Sequence, residues 1–298
     1  MLPSLFSVSV PVFQQRRVAL DTGLTLSFLE WGADRPDREH TVLLIHGFLD
    51  LSWTWVGVVP HGLAARYHVV APDMRGHGDS DRVGAGGYYH FMDYVADLAS
   101  LVDRVGRERV SLVGHSMGGS VSAYHAGAFP ERVSKLALLE GLGPPEDETP
   151  PPRRVAIWSR AWRRVRETEP RVHASIEAAA ERLRAADPLL DPALAMVLAD
   201  KGTRPHPSGG RVFKHDPLHV THGPYPFRLD VARTFWRSIA CPVLLVEGAE
   251  SPFRALADLE ERVACLKSPE RVVLPGAGHM LQRHQPEALA RALLQFLD

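Results

Sequence analysis

The sequence predicts an α/β fold: a mostly parallel, twisted sheet flanked by helices and interrupted by an inserted helical cap. Three observations predict it. Short runs of β-branched and aliphatic residues alternate with helical patterns, as crossover helices between parallel strands require. The strand runs are almost continuously apolar, so both faces of the sheet are covered. Between Gly143 and about Asp230 that alternation stops and an Arg/Ala/Glu-rich helical stretch takes over.

In chain order, Val18–Leu20 and Leu24–Glu30 read as a hairpin around Asp21-Thr22-Gly23. Strands then recur at Val42–Ile45, His68–Ala71, Val110–Val113, Lys135–Glu140, Val243–Glu247 and Arg271–Leu274. Helices are expected from Asp93 to Arg104, from Ser116 to Ala128, from Pro252 to Leu266 and from Pro286 to Leu297. The prolines at 144, 145, 150, 151 and 152 open the insertion, whose helices are expected over Arg153–Thr168, Arg171–Ala186 and Pro192–Lys201. The expected division is a core of residues 1–143 and 230–298 with a cap of residues 144–229, which excludes water and shapes a pocket. Trp158 and Trp162, in the cap, are candidates for setting substrate length.

Length and charge narrow the classes. A chain of 298 residues accommodates one large domain with an insertion. Its 34 basic and 35 acidic residues leave a formal charge of −1, which offers no nucleic-acid surface and suits a small organic substrate. Cys241 and Cys265 make no disulfide framework. Met1 to Val12 has neither a charged leader nor a cleavage pattern, and no apolar run reaches the roughly 18 residues a span needs, so a soluble, cytoplasmic protein is expected.

The chemistry concentrates at Val113-Gly114-His115-Ser116-Met117-Gly118-Gly119, which joins a strand to a small-residue helix. A G-x-S-x-G turn is tight enough to lift Ser116 out of the sheet only if its neighbours lack side chains. Upstream, Thr41 to Ile45 runs into His46-Gly47-Phe48, a loop placed to offer a backbone N–H. Phe48 and Met117 are therefore the expected oxyanion donors. Serine is a weak nucleophile at neutral pH and needs a base; His279, in Pro275-Gly276-Ala277-Gly278-His279, is the candidate. His46 and His115 read as loop-packing residues. The segment Asp73 to Asp81 holds Asp73, His77, Asp79 and Asp81, but Arg75 among them opposes a cation, and a hydrogen-bonded turn is preferred to a metal site. Trp53 and Trp55 either line the pocket or pack the following helix.

With these motifs in place, the chain resembles the α/β-hydrolase superfamily from about Val18 to Leu297. The resemblance rests on His46-Gly47-Phe48, Asp73-Met74-Arg75-Gly76-His77-Gly78-Asp79-Ser80, Gly114-His115-Ser116-Met117-Gly118 and Gly276-Ala277-Gly278-His279. Leu139-Glu140-Gly141-Leu142-Gly143-Pro144-Pro145 and Lys214-His215-Asp216-Pro217 look like its serine hydrolase-like group. The resemblance implies a Ser-His-acid triad, yet the position that holds an aspartate in most relatives, three residues after Gly248, is Ser251. The haloalkane dehalogenases and others place the acid after the preceding strand, where this chain has Glu140. Glu140 is the favoured acid, Glu250 the alternative, with Glu247 or no acid also open. The implied activity is a serine hydrolase of carboxylic esters or related acyl compounds, without metal or organic cofactor. Carbon–carbon bond hydrolysis, or ligand binding without turnover, are the alternatives.

Overall fold

The computed structural model describes residues 11–33, 40–105 and 108–298. The reading of Met1 to Val12 thus falls almost wholly outside the described residues. The elements run β1 (Phe13–Ala19), β2 (Thr25–Trp31), β3 (Thr41–Ile45), α1 (Leu63–Arg66), β4 (His68–Pro72), α2 (Phe91–Val105), β5 (Val110–His115), α3 (Met117–Ala128) and β6 (Val133–Leu139). Then come α4 (Pro151–Glu167), α5 (Ile176–Ala186), α6 (Pro192–Gly202), β7 (Thr203–Pro205) and β8 (Arg211–Phe213). The chain closes with α7 (Leu229–Ser238), β9 (Val243–Gly248), α8 (Leu259–Val263), β10 (Glu270–Leu274), α9 (Leu281–His284) and α10 (Pro286–Leu297).

Eight strands form one sheet in the order β1-β2-β4-β3-β5-β6-β9-β10. The β1–β2 and β2–β4 pairs are antiparallel, and the pairs from β4 to β10 are parallel. Alternation along the strands divides the core in two. Val42, Leu44, Val113, Ala137, Leu139 and Val246 face a cluster completed by α9, α10 and the helices α5 and α6. Leu43, Ile45, Leu112, Leu138 and Leu245 face the opposite cluster, completed by α2, α3 and α7. The strands' C-terminal ends converge at one edge, and β5, β6, β9 and the turn after β10 deliver Ser116, Glu140, Ser251 and His279 there.

Some elements differ from the sequence reading. The first hairpin strand extends back to Phe13, whose ring packs edge-on to Trp53 at 5.5 Å. The helix expected over Pro252–Leu266 is broken: Ser251 caps a single turn at Pro252–Ala255, Leu256 is extended, and α8 starts only after Asp258. The helix expected from Arg171 starts at Ile176, capped by Ser175, because the His173 backbone pairs with Arg211 on both sides. The hairpin β7–β8 had no counterpart in that reading; its turn holds Gly209 and Gly210 at φ +91° and +74°. Cys241 and Cys265 are both free and buried. No described helix is long and apolar enough to cross a membrane.

Candidate active site

Ser116 sits between β5 and α3 at φ 52°, ψ −117°, a strained conformation for a residue with a side chain. Close backbone approach makes the flanking glycines necessary. A Cβ on Gly114 would overlap the Gly118 carbonyl, and one on Gly118 would overlap the carbonyls of Ile45 and His46. The Ser116 N–H donates to Leu139 O at 2.9 Å, which ties the turn to β6.

Three side chains from separate strand ends then form one line. His279 Nε2 lies 3.0 Å from Ser116 Oγ, and His279 Nδ1 lies 2.7 Å from Glu140 Oε2. A carboxylate only accepts, so the proton sits on Nδ1 and the Nε2 lone pair faces the serine hydroxyl. Glu140 is held as tightly as the serine. Its φ is 51°, its N–H donates to Val246 O at 3.1 Å, and its side chain is 1% exposed. Gly248 N–H donates to Oε1 at 2.9 Å, while the Ser251 hydroxyl donates to Oε2 at 2.6 Å. Ser251 Oγ also accepts from Phe253 N–H at 3.2 Å, and the Phe253 ring stacks on His279 with centroids 4.4 Å apart. The residue at the usual acid position therefore braces both the carboxylate and the ring beside the imidazole.

The competing glutamates are engaged elsewhere. Glu250 accepts from Gly276 N–H at 3.1 Å on the exposed side of the loop. Glu247 pairs with Arg271 at 3.1 Å and with Arg254 at 3.9 Å.

Phe48 and Met117 flank Ser116 on the wall of one cavity, and neither backbone N–H donates a hydrogen bond among the described residues. The loop carrying Phe48 is pinned by histidines. His46 donates from Nδ1 to Gly47 O at 2.7 Å and accepts Met74 N–H on Nε2 at 2.9 Å. His77 Nε2 accepts Leu49 N–H at 3.2 Å. His115 donates from Nε2 to the His279 carbonyl at 2.8 Å. Burial, with His279 beside it, pushes His115 down to about 3, and burial and neighbouring histidines push His77 well below the usual range. Both stay neutral, as fixed braces rather than proton carriers. Asp73 accepts the amides of Ser52 (2.7 Å) and Asp79 (2.9 Å), so the Asp73–Asp81 segment is a cross-linked turn beside this loop.

The cavity has a volume of about 610 Å³ and opens on Ser116. Its walls are largely apolar, with Phe48, Phe91, Met92, Phe227, Val231 and Phe253 prominent. Trp53 and Trp55 are buried in the core and do not line it. Nor do Trp158 and Trp162, which pack on each other and on Tyr88. From residues 144–229 the cavity is instead lined by Pro144 and by Gly223-Pro224-Tyr225-Pro226-Phe227-Arg228, a run without helical periodicity.

The family model of the alpha/beta hydrolase fold matches residues 40–283. The chain belongs to this family. A serine hydrolase-like protein of Danio rerio is 32% identical over 100% of this chain and 94% of its own length. Epoxide hydrolase A of Mycobacterium tuberculosis is 28% identical over 86% of this chain and 89% of its own. Among solved structures, a thioesterase domain from the curacin biosynthetic pathway superposes with a TM-score of 0.85 at 26% identity, covering 95% of this chain and 99% of that one. Hydrolases named for differing chemistry thus share this scaffold, and the fold by itself does not choose among them.

Proposed function

We propose that this α/β-hydrolase is a serine hydrolase that cleaves a carboxylic ester or related acyl substrate through an acyl-enzyme. The observation that carries the reading is the line Glu140–His279–Ser116 opening on an apolar cavity. His279 Nε2 takes the proton as Ser116 Oγ attacks the acyl carbon, and Glu140 stabilises the imidazolium. The N–H groups of Phe48 and Met117 receive the oxyanion. His279 then returns the proton to the leaving alcohol, and water repeats the sequence to release the acid. No metal or organic cofactor enters any step.

A serine at the elbow supports acyl transfer over the alkyl-enzyme route of relatives that carry a carboxylate there. The similarity to a thioesterase domain supports the same class. The absence of an acid at Ser251 favours binding without turnover; Glu140 at 2.7 Å from His279 supports turnover instead. In this reading residues 144–229 are a cap, whose stretch Gly223 to Phe227 closes the cavity and excludes water. The test is hydrolysis of p-nitrophenyl esters of graded acyl length. Turnover by the wild-type protein and none by Ser116→Ala is expected; equal rates in the two proteins refute the proposal.

A further inference from the structure

The cavity walls carry few buried polar groups, and nearly all are committed. The Tyr89 hydroxyl donates to Asp216 at 2.8 Å, and Ser120 Oγ donates to Gly141 O at 3.1 Å. Tyr124 differs. It lines the cavity and is 4% exposed, yet its hydroxyl makes no hydrogen bond among the described residues. The ring is fixed, edge-on to Phe91 at 4.9 Å and stacked on Phe235 at 4.3 Å. The hydroxyl is not among the fully enclosed side-chain polar atoms that lack a partner, so water reaches it, and a ligand that displaces that water must supply an acceptor or leave it unpaired.

Its place on α3 gives the geometry. Ser116, Ser120 and Tyr124 follow each other at four-residue intervals, so they lie on one face of the helix and all line the cavity. Eight residues at 1.5 Å rise put the Tyr124 backbone about 12 Å from the nucleophile along the axis, and the side chain leans back toward the serine. The cation on this wall, Arg228, is held by Asp230 at 2.5 Å. No free positive charge therefore favours a carboxylate at this end. Burial, with Asp230 adding to it, pushes the Tyr124 phenol up to about 12, so it remains a donor at neutral pH.

We propose that Tyr124 determines specificity, its hydroxyl donating to a neutral oxygen partway along the acyl group, so that oxo- or alkoxy-substituted acyl esters are preferred to plain alkyl esters of the same length. This rests on the acyl-hydrolase reading. A plain alkyl chain would leave the hydroxyl buried and unpaired, a loss of about tenfold in kcat/KM. The test compares p-nitrophenyl octanoate with its 5-, 6- and 7-oxo isomers on wild-type protein and on Tyr124→Phe, which keeps the ring. Wild type should favour one oxo isomer about tenfold over octanoate; Tyr124→Phe should treat the two alike. Absence of any oxo preference, or its survival in Tyr124→Phe, overturns the inference. A second arm separates this from the catalytic reading: calorimetric titration of Ser116→Ala, and of the same protein with Tyr124→Phe, with methyl octanoate and the methyl oxo-octanoates. Tighter binding of an oxo ester to the first protein alone supports the inference even if no ester turns over; equal affinities, or no measurable binding, overturn it.

Discussion

Replacing Glu140 by glutamine keeps the shape of the site and removes its charge. The carboxylate accepts at both oxygens, from Gly248 N–H on one and from Ser251 and His279 on the other. Glutamine can accept on only one side. If its amide NH₂ faces His279, the imidazole must present Nδ1 as acceptor, which puts a proton on Nε2 and disables the base toward Ser116. If the NH₂ faces Gly248 instead, two donors meet in a buried site, at about 1–3 kcal/mol. In either orientation the imidazolium loses its counter-charge. A pair at about 4 Å in an effective dielectric near 20 is worth roughly 4 kcal/mol, and partial solvation of His279 reduces this toward 3. At about 1.4 kcal/mol per tenfold, kcat should fall on the order of 10²- to 10⁴-fold, with KM nearly unchanged. The assay is steady-state hydrolysis of p-nitrophenyl butyrate by Glu140→Gln and Glu250→Gln side by side. A Glu140→Gln enzyme within a few-fold of wild type would mean that Glu140 is not the acid, and a crippled Glu250→Gln moves the acid to the loop after β9.

Further outcomes follow from neighbouring contacts. Ser251→Ala removes one of three donors to Glu140 and should lower kcat roughly tenfold, with Ser251→Thr restoring most of it; equal activity in all three proteins would make the 2.6 Å contact irrelevant to catalysis. Buried His125, with both ring nitrogens unpaired, is pushed down to about 4 mainly by burial, so the unfolded chain binds its proton below about 6.5 while the folded one does not. Stability therefore falls as pH drops from about 6.5 toward 4, by about 2 kcal/mol at pH 5 from this residue, and urea midpoints of wild type and His125→Phe at pH 7 and 5 should show the variant losing less. Exchanging Trp158 or Trp162 for alanine should leave acyl-length preference unaltered, since neither lines the cavity, whereas Phe227→Ala should extend it to longer esters; the p-nitrophenyl ester series reads both.

Much of the scaffold was legible because the strands are near-continuous apolar runs and the turn at Ser116 announces itself through glycines that nothing larger can replace. The His279 loop and Glu140 were legible as positions at strand ends. What the sequence withheld are contacts between residues far apart in the chain. The Ser251–Glu140 hydrogen bond joins residues 111 positions apart, so the serine that first read as a missing acid is a brace. Pro252 to Leu266 carries a helical composition, but Ser251 and Asp258 each start a new turn and break it. The hairpin β7–β8 has strands of three residues, too short for a period of two to show, although Ser208-Gly209-Gly210 was a turn signal. Residues 144–229 show helical periodicity, whereas most of what they contribute to the cavity wall comes from a loop of prolines and aromatics that has none.

If Ser116 is a nucleophile activated by His279, covalent labelling detects it without knowledge of the substrate. Wild-type protein, Ser116→Ala and His279→Ala are treated with a fluorophosphonate, and the adduct is located by peptide mass spectrometry. A single adduct on Ser116 is expected in wild type, none in Ser116→Ala and labelling slowed at least a hundredfold in His279→Ala, the order that follows from loss of a general base. A wild-type protein that stays unlabelled, or an adduct on a serine other than Ser116, would contradict that role of Ser116.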